Sequence, residues 1–232
     1  MSVTLWIGER NYSSWSLRAW AALEWSQLPY EERFVSLDQD GYGAEGIAAI
    51  RAISPSGRIP VLQVDGRALW DSLAICEWLA ERAPLWPADP WARAEARAAT
   101  CEMHAGFVAL RRDLPMNLRR RCRPPAFGAD VQRDLARVEA LWAGLRQRYA
   151  ASGPWLFGTR SVADAFYLPV ATRLRTYGVM LDGLAQQYAQ TLLADAAFLR
   201  WERAALAEWR GPFPRAAIDS LYPGTDVAGD DP

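Results

Sequence analysis

Arg58-Ile59-Pro60-Val61-Leu62, with Asp71-Ser72-Leu73-Ala74-Ile75 beginning eleven residues after Pro60, decides how this chain is read. Pro has no N–H to give a ladder, so a Pro ahead of an apolar run marks the first position of a strand or an edge. Asp65-Gly66 separates the run Ile59 to Val64 from Ala68-Leu69-Trp70, which predicts a tight hairpin. Asp71 and Ser72 are both good N-caps. Leu73, Ile75, Cys76 and Leu79 follow at helical spacing, so a helix is expected from Ser72 to Glu81. The segment therefore spells strand, strand, helix.

Working outward toward the N-terminus, Val3 to Ile7 is a β-prone run bounded by Gly8. Asn11-Tyr12-Ser13-Ser14 reads as a turn, followed by a helix from Ser16 to Trp25 that Pro29 closes. A second strand is expected from Glu32 to Leu37, then a glycine-rich loop and a short helix around Ala44 to Ile53. Residues 1–83 thus read β-α-β-α-β-β-α, an α/β unit in the thioredoxin arrangement. The Pro-rich residues 84–90 read as a linker, and residues 91–215 as an all-α domain. Its expected helices run from Pro90, capped by Asp89, to Leu114, from Asp130 to Tyr149 and from Ser161 to Tyr177, with two shorter ones between Leu184 and Trp209. Ser161, with Asp164 three residues on, reads as a capping box that opens the helix. Residues 216–232 read as an extended tail.

Composition removes several function classes. The net charge is −1, which gives no footprint for nucleic acid or an anionic membrane. The short run Arg119 to Arg123 reads as a solvated helix end. All 26 basic residues are Arg, so neither a P-loop lysine nor a Schiff-base lysine exists. A single His, His104, rules out sites that need two or three His ligands. Cys76, Cys101 and Cys122 form no Cys-x-x-Cys pair, so no zinc ribbon, dithiol centre or other metal site is expected. The start lacks the basic-then-apolar pattern of a signal peptide, and no apolar run approaches the roughly 20 residues of a membrane span. A soluble cytoplasmic protein is expected.

A thioredoxin-like domain followed by a helical one resembles the cytosolic glutathione transferases, and the resemblance covers about the first 210 residues. In that family the Pro of the first motif is cis, which would turn the backbone of Ile59 toward the cysteinyl backbone of glutathione. Asp71 and Ser72 would take the α-amino and carboxylate groups of the γ-glutamyl end, helped by the helix N-terminus. Asn11-Tyr12-Ser13-Ser14-Trp15-Ser16-Leu17-Arg18 is similar to the Ser-Ser-x-Ser-x-Arg motif of the zeta class. Carried over by position, Ser13, with Ser14 beside it, would hydrogen-bond the glutathione sulfur and favour the thiolate over the thiol. Tyr12 is a rival donor by chemistry. Trp15 stands where the zeta motif has Cys, which separates this chain from a plain maleylacetoacetate isomerase.

The resemblance further implies an electrophile pocket between the domains, with Trp15, Met103, His104, Phe107, Leu110, Arg111 and Arg112 as candidates. Family members often hold the glycine carboxylate with Lys or His. Here Arg58 or Gln39 is expected to substitute. The implied activity is glutathione transfer to a small electrophile, with glutathione as co-substrate. A glutathione-dependent cis-trans isomerase and a non-catalytic binding protein are the alternatives. A homodimer is also implied.

Overall fold

A computed structural model describes residues 1–39, 47–124, 126–208 and 218–227. Four strands, β1 (Val3–Ile7), β2 (Glu31–Phe34), β3 (Val61–Val64) and β4 (Arg67–Trp70), form a sheet in the order β2-β1-β3-β4. β2 runs parallel to β1, while β3 is antiparallel to both β1 and β4. The β3-β4 half is the expected hairpin, with Asp65 and Gly66 both at positive φ in the turn.

Strand alternation sorts the side chains to two faces. Val3, Leu5 and Ile7 of β1 point to the layer made by α1 (Ser14–Ser26) and α3 (Ser72–Ala80). Trp6 and Ile59 face a smaller cluster built on Val35, Ile47 and Ile50, the last from α2 (Ala48–Arg51). This is the expected thioredoxin arrangement. The element ends differ from expectation for local reasons. β2 stops at Phe34 because the Glu9 carboxylate takes the Ser36 hydroxyl and the Leu37 N–H, removing them from a ladder. Part of the helix expected from Ala44 to Ile53 lies outside the described residues.

The remaining helices are α4 (Pro90–Ala105), α5 (Val108–Asp113), α6 (Ala129–Tyr149), α7 (Val162–Thr176), α8 (Gly183–Leu193) and α9 (Ala196–Ala207). Every residue of α7 except Arg175 is buried, so α7 is the axis around which the helical layer and α1 pack. Its N-terminus is fixed by Asp164, fully buried, which accepts from Leu156 N, from Ser161 N and Oγ, and from the Tyr188 hydroxyl. The capping box is therefore structural, as its sequence implies.

Two expectations fail here. The helix expected to run unbroken to Leu114 breaks at Gly106-Phe107, where Phe107 takes the left-handed conformation at φ 53°. A Cβ at position 106 would stand 2.7 Å from the Glu102 carbonyl oxygen, so only Gly fits. The Arg119 to Arg123 run is no helix end. Arg120–Cys122 forms β5, paired antiparallel with β6 (Gly224–Asp226) from the segment expected to be an extended tail. Asp226 supplies the reason, bridging Arg119 and Arg120.

Candidate active site

A cavity of about 950 Å³ opens between the two layers. One wall is the edge that the opening motif builds. The Ile59–Pro60 peptide is cis, and Ile59, Pro60, Arg58, Asp71 and Ser72 line the cavity. Among the described residues neither backbone polar group of Ile59 is hydrogen-bonded. Asp71 caps α3, its carboxylate accepting from Leu73 N at 2.7 Å, and it does so at φ 68°, a conformation that costs a non-glycine residue energy. That backbone turn leaves Ser72 in the first helical position with its Oγ buried and, among the described residues, without a partner. A buried hydroxyl without a partner costs on the order of 1–3 kcal/mol, so the site carries an unmet acceptor and donor. Of the two residues proposed for a carboxylate at the other end, Arg58 lines the cavity. Gln39 does not, its amide being engaged by the Ser36 carbonyl.

The second wall is the start of α1. Ser13 is the N-cap and Ser14 the first helical residue, both nearly buried and both on the cavity. Ser13 Oγ accepts from Ser16 N at 3.3 Å and donates to Ser16 Oγ at 2.7 Å, while Ser16 Oγ also accepts from Gly8 N. The Ser13 hydroxyl is thus parked on its neighbour and needs only a rotation to point its hydrogen into the cavity. Tyr12 also lines the cavity, but its hydroxyl donates to Asp219 at 2.6 Å, so it is no rival donor to a thiol.

The third wall corrects the expected pocket. Trp15, Arg111 and Arg112 line it as anticipated. Met103 and Leu110 are fully buried in the core, because they lie on the faces of α4 and α5 turned toward α7 and α6. Phe107 is buried at the helix break and lies off the cavity. His104 sits behind Trp15, edge to face at 5.4 Å, with its Nε2 3.7 Å from Asp71. The break that displaces Phe107 also positions Arg111, whose Nη1 donates to the freed carbonyls of His104 and Gly106.

What sequence reading missed is a concentration of positive charge. Arg18 stacks on Trp15 at 4.3 Å and on Phe166 at 4.5 Å, and Arg111 covers Trp15 at 4.9 Å. Arg18 is buried, and among the described residues its Nε and Nη1 have no hydrogen-bond partner. Arg173 of α7 is buried too, lines the cavity, and leaves its Nε unpartnered. Burial first, then Arg173 and Arg111, pull the Arg18 pKa down to about 9. Burial and then Arg111 pull Arg173 down to about 10. Buried charges are normally paired. A guanidinium group that faces a cavity with no carboxylate paired to it attracts an anion there. The sequence signals for this were Arg18, fourth residue on from Ser14 in the motif, and the pocket candidates Arg111 and Arg112; Arg173 gave none.

The N-terminal domain of the glutathione S-transferases is matched, as a family model, over residues 12–82. The maleylacetoacetate isomerase of Pseudomonas aeruginosa is 33% identical over 183 residues, covering 75% of this chain and 82% of that protein. The chain belongs to the glutathione transferase family. Among solved structures, a glutathione transferase homologue from Burkholderia with bound glutathione superposes with a TM-score of 0.67 at 23% identity, over 88% of this chain and 98% of that one. A maleyl pyruvate isomerase, a bacterial zeta-class protein, gives 0.64 at 25% identity, over 88% and 99%. The thioredoxin-like and helical layers of this transferase are thus those of its family. Among the described residues no helix is long and apolar enough to cross a membrane, and no cluster of His, Cys, Asp or Glu suits a metal.

Proposed function

We propose that this transferase binds glutathione along the Ile59–Pro60 and Asp71–Ser72 edge and activates its thiol with Ser13, for attack on a small electrophile that carries a carboxylate. The observation that carries the proposal is one cavity with two unlike walls: a partnerless hydroxyl on a helix N-terminus, and Arg111 beside Arg173, the latter buried with its Nε unpartnered. In this reading the γ-glutamyl carboxylate meets Ser72 Oγ and the start of α3, where backbone N–H groups and the dipole favour negative charge. The amino group meets Asp71, and Arg58 takes the glycine carboxylate. The sulfur then lies at the start of α1, where a turned Ser13 hydroxyl (or that of Ser14) and the helix dipole lower the thiol pKa below its free value of about 8.5. Arg111 and Arg173 hold the second substrate by its carboxylate beside that sulfur.

The arginine wall also supports a second reading, an isomerase. A thiolate that adds to a cis-alkene conjugated with a carbonyl leaves a single bond free to rotate, and elimination then restores thiolate and the trans-alkene. Relatives with maleylacetoacetate isomerase in their names fit this equally. Trp15 in place of Cys, with the Arg18 and Arg111 guanidinium groups stacked over its ring, adds bulk to the pocket and favours transfer. Cytoplasmic location and a homodimer belong to the same proposal. Assays with an aryl halide, and with maleylacetone with and without glutathione, separate the two readings. Ser13→Ala should slow whichever reaction is found by more than about tenfold, and full activity in that variant would remove Ser13 from its role.

A further inference from the structure

The loop that carries Ser13 is held by the far end of the chain. Asp219 receives the Tyr12 hydroxyl on one carboxylate oxygen at 2.6 Å and Asn117 Nδ2 on the other at 2.7 Å. Asn117, 1% exposed, accepts from Asn11 Nδ2 at 2.9 Å, and Asn11, 4% exposed, accepts from Arg119 N. Asn117 is itself tied to α7, its carbonyl accepting from the Thr176 hydroxyl. The two residues before Ser13 are therefore gripped from one side by α7 and from the other by residue 219. Ile218, next to Asp219, lines the cavity with Tyr12 and Ser13.

The segment that brings Asp219 there is itself anchored. β6 pairs with β5 in the register Arg120↔Asp226 and Cys122↔Gly224. A Cβ at Gly224 would stand 2.5 Å from the Arg121 carbonyl oxygen, so the two strands approach that closely only because residue 224 is Gly. Asp226 adds ion pairs to Arg119 and Arg120, and Tyr222 packs edge to face on Tyr177 at 5.6 Å.

We propose that residues 218–227 are a strap that positions the thiol-activating loop, with Asp219 and Tyr12 as its positioning residues, so that catalytic competence depends on the seating of the C-terminal strand. This rests on the proposed role of Ser13. A helix N-cap directs its hydroxyl only as well as the preceding backbone is fixed, and small misplacements of a reacting group are costly to rate. The strap fixes that backbone directly through the hydrogen bond from Tyr12 to Asp219, and indirectly through Asn117, which Asp219 holds and which in turn holds the Asn11 side chain.

The test measures the pKa of the bound glutathione thiol from its ultraviolet thiolate absorbance, together with turnover, affinity for S-methylglutathione and melting temperature. Wild type, Ser13→Ala, Tyr12→Phe, Asp219→Ala, Gly224→Val and the Tyr12/Asp219 double variant are compared. Tyr12→Phe loses only a hydroxyl, so it keeps the test open if Gly224→Val fails to fold. The strap variants should raise the bound thiol pKa toward its free value and slow turnover about tenfold, with S-methylglutathione affinity kept within about twofold. The double variant should be no worse than Asp219→Ala, because that change already removes the acceptor of the Tyr12 hydroxyl. A thiol pKa unmoved in Tyr12→Phe and Asp219→Ala, while Ser13→Ala raises it, overturns the strap alone. A further loss from Tyr12→Phe on top of Asp219→Ala would mean that Tyr12 acts on the ligand directly, which also overturns it. A wild-type thiol at its free pKa overturns the role of Ser13 and the strap together.

Discussion

Arg173→Met removes a buried positive charge from the cavity wall and should trade activity for stability. Burial first, then Arg111, takes the Arg173 pKa from 12.5 to about 10. At about 1.36 kcal/mol per pKa unit, the charged guanidinium is roughly 3 kcal/mol less favourable in the fold than in the unfolded chain. Met fills similar length with no charge. The change orphans nothing, because the Pro169 carbonyl that accepts from Arg173 Nη1 also accepts from the Thr172 hydroxyl at 2.8 Å. Some of the gain is lost with the Arg173 hydrogen bond, so the variant should be more stable by about 1–3 kcal/mol. For a chain of this size that raises the melting temperature by about 5 °C. A base whose folded pKa is depressed carries its full penalty below that pKa and sheds it only between about 10 and 12.5, so the gain should be flat from about pH 6 to 9. KM for a carboxylate-bearing electrophile should rise about tenfold or more, with S-methylglutathione affinity unchanged. Urea denaturation and steady-state kinetics read both effects. A variant less stable than wild type by more than about 2 kcal/mol would mean that the guanidinium is already compensated. The electrostatic reasoning for an anionic substrate would then be wrong.

Two further substitutions test the other walls. Ser72→Ala deletes a buried hydroxyl that has no partner, so the free protein should keep its stability or gain up to about 3 kcal/mol while glutathione Kd rises about tenfold by calorimetry; a clear loss of stability would mean that Ser72 was already satisfied. Asp164→Ala strips four hydrogen bonds from a fully buried carboxylate and should cost about 3–5 kcal/mol in urea denaturation, with the thiol pKa of bound glutathione unmoved in whatever folds; a loss under about 1 kcal/mol would deny it the role of fixing α7.

The thioredoxin-like half was legible because its signals are local. Pro60 opening a strand, Asp65-Gly66 in a hairpin turn and Asp71-Ser72 capping a helix each act within a few residues, through ring closure, a turn conformation or a cap. The same holds for Asp89 with Pro90 and for Ser161 with Asp164. Residues that met long-range partners were misread. The Arg119 to Arg123 run looked like a solvated helix end because its partner strand lies about a hundred residues away. Met103, Phe107 and Leu110 carried helical spacing, yet spacing does not tell which face of a helix meets a cavity, and the break at Gly106 reorients α5 relative to α4.

The sequence by itself determined the two-layer architecture, the Ile59–Pro60 and Asp71–Ser72 edge, and the exclusion of lysine, multi-histidine and dithiol chemistry. Those conclusions depend on residue identity and on hydrogen bonds closed within short stretches. Only the tertiary structure decided that Arg18, Arg111 and Arg173 share one aromatic-lined corner, that Tyr12 is spoken for, and that residue 219 grips the loop of Ser13. Burial and charge coupling act through space, between α1, α5, α7 and the C-terminal strand, and so have no signature in the order of the residues.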